Sequence, residues 1–148
     1  MDWNLRYFDD WTVGESIETE SHLMTEDRIM TFAEEFDPQP FHVDRAAAEA
    51  SIYGGIIASG WHTGSVLMRL KTTLLGASSM GSPGGENFGW RAPVYPGDQL
   101  RLRSTVLEGK PSASKPDRGM VTYADELLNQ DDQVVMTLNP VLMMKRRP

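Results

Sequence analysis

The segment ESIETESHL, residues 15–23, alternates, with Ile17, Thr19, Ser21 and Leu23 on one face. That period of two predicts a β-strand. The period then changes. In TEDRIMTFAEEF, residues 25–36, Ile29, Ala33 and Phe36 recur at helical spacing, with Met30 and Phe32 beside them. Thr25 is placed to cap this helix, and Glu26 and Asp27 suit the positive end of its dipole. DRAAAEA, residues 44–50, predicts a second, short helix capped by Asp44 and ended near Gly54 and Gly55. The longest helical pattern is GWHTGSVLMRLKTTLLGA, residues 60–77, where Val66, Leu67, Leu70, Leu74 and Leu75 form a core-facing stripe. The small residues Gly60, Thr63, Gly64 and Ser65 allow another backbone to come close, and Ser59 sits where a cap is needed.

Beyond residue 76 the texture changes again. LGASSMGSPGGEN reads as a Gly/Ser loop, followed by four strand-like runs: NFGWRAPVY, DQLRLRSTVLE, GMVTYADELL and QVVMTLNPVLMM. In the second run Leu100, Leu102 and Val106 alternate with Arg101, Arg103 and Thr105. GKPSASKPDRG reads as a long flexible connection, and NQDD as a turn. The last run is apolar on both faces, so it should be central or covered on both sides. A strand, then helices, then four strands predict an α+β fold: one long helix against an antiparallel sheet.

At 148 residues the chain is sized for a single domain, 1–148, with a real core. Its net charge of −7 argues against a general nucleic-acid binder, though not against a local basic pocket. It has no cysteine, which rules out thiolate chemistry and fits a cytoplasmic protein. No signal peptide or membrane-length apolar run is visible. The terminal KRRP reads as a solvated end.

Candidate chemistry lies in EFDPQPFHVD, residues 35–44. Pro38 disfavours helix at Asp37, and Pro40 does so at Gln39, so the first helix must stop near Phe36. Asp37 is then held at a helix end. It shares a site with His42 only if the chain turns between them, which the sequence permits without demanding it. Taken alone, the pair reads more readily as a helix-ending loop with a hydrogen-bonded histidine than as an acid–base pair. His22 falls in the alternating strand, and His62 in the first turn of the long helix. The three histidines show no metal-ligand spacing, and no Gly-rich phosphate loop or nucleophile elbow is present. GGIIASGWHTG does place Gly60 at the start of the long helix. There a free amide could stabilise a carbonyl oxygen developing negative charge, or the glycine could simply allow tight packing.

Together these pieces resemble a known family. FAEEFDPQPFHVDRAAAEASIYGGIIASGWHTG looks like the signature region of the MaoC-like dehydratases, or R-specific enoyl-CoA hydratases, and FGWRAPVYPGDQL resembles their second block through Pro93, Val94, Gly97 and Asp98. The resemblance spans about residues 10–145. It implies a hotdog fold, a long central helix wrapped by a curved antiparallel sheet. It also implies a homodimer joined edge to edge, or a higher oligomer of dimers. The implied chemistry is reversible addition of water to a trans-2-enoyl thioester of CoA or acyl-carrier protein. No cofactor or metal is implied, nor a nucleic-acid or membrane partner. Asp37 and His42 fall on the family's catalytic pair, with the division of acid and base roles left open. Gly60 falls on the glycine whose amide faces the thioester carbonyl, with Gln39, Phe36, Ser59 and His62 as supporting positions. The family motif usually reads Gly-Asp-x-Asn-Pro-x-His, so Phe36 and Gln39 are departures that bear on substrate choice. Arg91, Arg69 and Lys71 read as surface or interface charges that could also meet CoA phosphates. The alternatives are a hotdog thioesterase, which would release free thiol, and a non-catalytic acyl-thioester-binding subunit.

Overall fold

A computed structural model describes residues 6–148. The first strand expectation is only partly met. Residues 15–23 form two short strands, β1 (Ser16–Glu18) and β2 (His22–Leu23), not one. Glu18 lies opposite Arg103, but His22 lies opposite Leu100, a slip of one residue between them. Such a slip turns the faces over. Leu23 therefore points out, and Met24 is the residue that enters the core.

Helix α1 (Glu26–Phe36) starts at Thr25, whose side chain accepts the Arg28 N–H, as expected. Ile29 and Ala33 are fully buried, but Phe36 is 63% exposed and does not continue the stripe. The chain then makes a short helix that the sequence pattern did not announce, α2 (Pro40–Val43), with Pro40 at the first helical position. Helix α3 (Arg45–Ala50) follows, capped by the Asp44 carboxylate accepting from Ala47 N–H at 3.0 Å. Helix α4 (Gly60–Leu75) is the long one, and Gly76 ends it at φ 63°, a conformation that favours glycine.

The remaining strands are β3 (Gly84–Trp90), β4 (Gln99–Pro111), β5 (Arg118–Leu128) and β6 (Val134–Lys145). They form an antiparallel sheet in the order β1-β4-β5-β6-β3, with β2 also on β4. Strand β6, apolar on both faces, is paired on both sides. Strand β3 starts three residues earlier than its hydrophobic pattern suggests and stops at Trp90. Gly85 permits the early start, because a Cβ there would lie 2.5 Å from the Asn139 carbonyl oxygen. The expected flexible connection shortens to residues 112–117, because β4 and β5 extend into it.

The stripe of α4 packs on the sheet. Val66, Leu67 and Leu70 join Leu100, Leu102, Leu127, Val135 and Met136 in one buried cluster. A long helix on an antiparallel sheet of six strands is the hotdog arrangement expected from the sequence. Among the described residues no helix is long and apolar enough to cross a membrane.

One expectation about charge is overturned. Lys71 is not a surface or interface charge, because it lies on the sheet side of α4 and is 1% exposed. Its Nζ donates to Ser104 Oγ at 2.6 Å and to Asp125 Oδ1 at 2.9 Å, and sits 3.4 Å from the centre of the Tyr123 ring. Ser104 and Asp125 face each other across β4 and β5. Burial pulls the Lys71 pKa down to about 8 and pushes that of Asp125 up, while each partner's charge opposes the shift. Asp125 Oδ2 has no hydrogen-bond partner among the described residues. The pair joins helix to sheet at the cost of two desolvated charges.

Candidate active site

Asp37 is the residue at which α1 stops. Its N–H still reaches the Ala33 carbonyl at 2.9 Å, but its own backbone has left the helix at φ −155° and ψ 67°, outside the helical region that the following proline disfavours. Two tight turns bring the chain back. Gln39 N–H donates to Asp37 O at 2.8 Å, and His42 N–H to Gln39 O at 2.9 Å. This is the turn that the sequence permitted. It sets His42 Nε2 3.3 Å from Asp37 Oδ2.

The histidine is buried, and its other ring nitrogen, Nδ1, lies 2.7 Å from the Ile57 carbonyl oxygen. A carbonyl only accepts, so Nδ1 carries a proton and donates. In the neutral ring the lone pair on Nε2 then faces the Asp37 carboxylate. Two acceptors that close can share one proton between them.

The carboxylate is held from two further sides. Ser59 Oγ donates to Oδ2 at 2.7 Å, and Gln39 Nε2 donates to Oδ1 at 2.8 Å. The Ser59 hydrogen bond, helped by Gln39 and His42, keeps the Asp37 carboxyl below the usual range despite the opposing effect of burial. Ser59 is fully buried and is also the N-cap of α4, where its Oγ accepts the Trp61 N–H. One hydroxyl thus ties the carboxylate to the start of the long helix.

Gly60 follows directly. As the first residue of α4 its N–H has no acceptor within the helix. Its missing side chain has a packing reason too: a Cβ here would lie 2.3 Å from the Trp90 indole, whose Nε1 donates to the Gly60 carbonyl at 2.9 Å. Both readings of this glycine thus have a counterpart in the structure.

Asp37, Gln39, His42, Gly60, Trp90 and Arg91 line a single cleft of about 460 Å³. Phe41, Tyr53, Ile57, Ala58 and Val94 give it an apolar wall, and Ser59 lies behind it. The structure therefore brings together five of the residues singled out from sequence: Asp37, Gln39, His42, Ser59 and Gly60. It does not bring in Phe36 or His62. These two line a separate hollow of about 340 Å³ on the α1 side, where His62 stacks on Phe32 at 4.8 Å. The long-helix spacing already separates them: His62 lies two positions beyond Gly60, about 200° around a helix of 3.6 residues per turn. Trp61 and Trp90 are among the lining residues that sequence reasoning missed. Trp90 stood in a run read as a strand and as part of the family's second block, and nothing local signalled that its indole would lie over Gly60, 30 residues away. Among the described residues no group of three or more His, Asp or Glu side chains is placed to hold a metal ion.

The arrangement offers a carboxylate, an imidazole and a free helix amide around one apolar cleft, which suits proton transfer next to a polarised carbonyl. Known proteins carry the same arrangement of chain. A MaoC-like dehydratase from Rhodospirillum rubrum superposes with a TM-score of 0.87 at 39% identity, covering 97% of this chain and 99% of that one. The R-hydratase PhaJ1 from Pseudomonas aeruginosa gives 0.80 at 25% identity, covering 95% and 86%. The uncharacterized protein YdeM of Bacillus subtilis is 31% identical over 140 residues, 93% of this chain and 98% of YdeM. The model of the MaoC-like domain matches residues 10–126, and the chain belongs to that family of dehydratase domains.

Proposed function

We propose that the protein is a hydratase or dehydratase that adds water reversibly to a trans-2-enoyl thioester, with residues 1–148 acting as one domain. The observation that carries this reading is the convergence of Asp37, His42 and the Gly60 amide on one cleft. R-hydratase and dehydratase relatives support it. In the hydration direction the water oxygen bonds to Cβ while the double-bond electrons move toward the thioester carbonyl. One water proton leaves to the dyad and one proton is delivered to Cα, so the protons balance. Asp37 accepts the water proton. His42, locked by Ile57 through Nδ1, orients the water with Nε2 and shares in the delivery. The Gly60 N–H, at the positive end of α4, meets the carbonyl oxygen as it gains charge.

The substrate is a CoA thioester, and the protein works in the cytoplasm as a homodimer. Strand β3 is an exposed sheet edge carrying Phe88 and Trp90, with Trp61 beside them, all three well exposed. An apolar edge of this kind is suited to pairing with a second copy. The test of activity is direct. A trans-2-enoyl-CoA mixed with the protein should lose its conjugated absorbance without releasing thiol. Thiol release at the same rate would instead indicate a thioesterase.

The role of Ser59 gives a pH prediction. Its hydrogen bond lowers the Asp37 pKa, and the reaction needs the carboxylate ionised. Ser59→Ala should therefore move the acid limb of the pH–rate profile to higher pH. A lowered rate with an unmoved limb would leave Ser59 as a helix cap only.

A further inference from the structure

Arg91, at the cleft, is fixed by a hydrogen-bond network of its own. Its Nε donates to Thr137 Oγ1 at 3.1 Å and its Nη2 to Asn87 Oδ1 at 3.2 Å. Thr137 Oγ1 in turn donates to the Asn87 carbonyl at 2.9 Å. Asn87 takes φ 52° at the irregularity between Glu86 and Gly89 where β3 pairs with β6, which aims its side chain at the guanidinium. Gly89 makes room for it, because a Cβ there would lie 2.9 Å from Arg91 Cζ. A distorted strand, a left-handed asparagine and a glycine thus fix one exposed arginine at the dyad cleft.

Its partners are neutral. Within one chain, among the described residues, no carboxylate lies within ion-pair distance of Arg91, Glu86 on its own strand included; seven other arginines have acidic partners, and Arg28 and Arg69, which have none either, lie away from the cleft. A guanidinium has five N–H donors in a fixed fork, and two of its nitrogens are tied here. In a chain of net charge −7, an immobilised cation with free donors and no counter-charge is a receptor for an anion. Arg69 does not line the cleft, and Lys71 is committed to Asp125.

We propose that Arg91 is an anion subsite of the cleft, taking a phosphate or a carboxylate of the substrate. This rests on the thioester reading above and deepens it. The anion has two possible sources: the phosphates of CoA, or a carboxylate at the far end of the acyl chain. The group must reach the rim while the thioester carbonyl sits at Gly60.

Calorimetric binding of two saturated thioesters, butyryl-CoA and succinyl-CoA, tests this without turnover. Arg91→Gln should weaken binding by roughly tenfold or more and remove most of its salt dependence, and Arg91→Lys should keep part of both. An equal loss for the two ligands assigns the CoA phosphates, and a loss confined to succinyl-CoA assigns an acyl carboxylate. Affinities within about twofold of wild type for both ligands, or a loss that salt does not affect, would overturn the subsite. If Arg91→Gln does not fold, Arg91→Lys and Asn87→Ala, which frees the fork, carry the same comparison. Saturated thioesters bind without hydration, so an inactive protein that binds them through Arg91 fails only the hydration reading. Wild-type protein that binds neither ligand would overturn both.

Discussion

Asp37→Asn should abolish most of the hydration activity, lowering kcat by about 10²–10⁴-fold, the usual contribution of a positioned acid or base. The substitution keeps the shape of the side chain. An amide oxygen can still accept from Ser59 or Gln39, so the turn from α1 to α2 has the partners it needs to form. What is lost is the charge and the ability to take a proton. KM should change much less than kcat, because the apolar wall of the cleft is untouched. Parallel measurement of kcat, KM and thermal melting separates this from a folding defect. A variant that melts like wild type and turns over within a few-fold of it would remove Asp37 from the mechanism.

The second large effect concerns stability. Asp125→Ala should cost about 3–5 kcal/mol, because it leaves the Lys71 ammonium buried with only Ser104 and the face of Tyr123. Replacing both members, Lys71→Met with Asp125→Leu, should recover most of that loss. The two pKa shifts give the reason. Both run toward the neutral form, so the desolvation penalty is large relative to the mutual attraction. The double variant removes both penalties at once. Urea unfolding of the wild type, the two single variants and the double variant gives the coupling energy. A double variant as unstable as the sum of the singles would show that the pair has no coupling worth the name.

That buried pair also marks where the sequence misleads. Lys71 lies one position beyond Leu70 in a stripe whose other members are apolar, and lysine on a helix is ordinarily solvated. Its partners, Ser104 and Asp125, come from strands 33 and 54 residues away. Nothing local signals that they meet. The elements themselves were legible for local reasons. Thr25, Asp44 and Ser59 cap the helices they were expected to cap, and the doubly apolar last strand is paired on both sides. The division of the first strand was not legible, because a one-residue slip depends on the register of β4.

The candidate site follows the same rule. The prolines around Asp37 dictate a helix end, and that end is where the carboxylate sits. The return of His42 needs the turn through Gln39 and the anchor at Ile57, fifteen residues on, so the dyad geometry is a tertiary result. Phe36 and His62 were grouped with the site by their nearness in sequence, but helix geometry sends them to another hollow. Gln39, the other departure from the usual family motif, does reach Asp37 with its amide. That difference therefore acts on the carboxylate itself.

Addition of water across an enoyl thioester is the reaction proposed for this cleft. The most direct test is mass spectrometry of the product formed from a trans-2-enoyl-CoA in oxygen-18 water, with Asp37→Asn alongside. The wild type should form, and the variant should not, an intact CoA thioester that is one labelled water heavier, with the label on the acyl chain. A free carboxylic acid carrying the label, with released CoA thiol, would contradict that reaction.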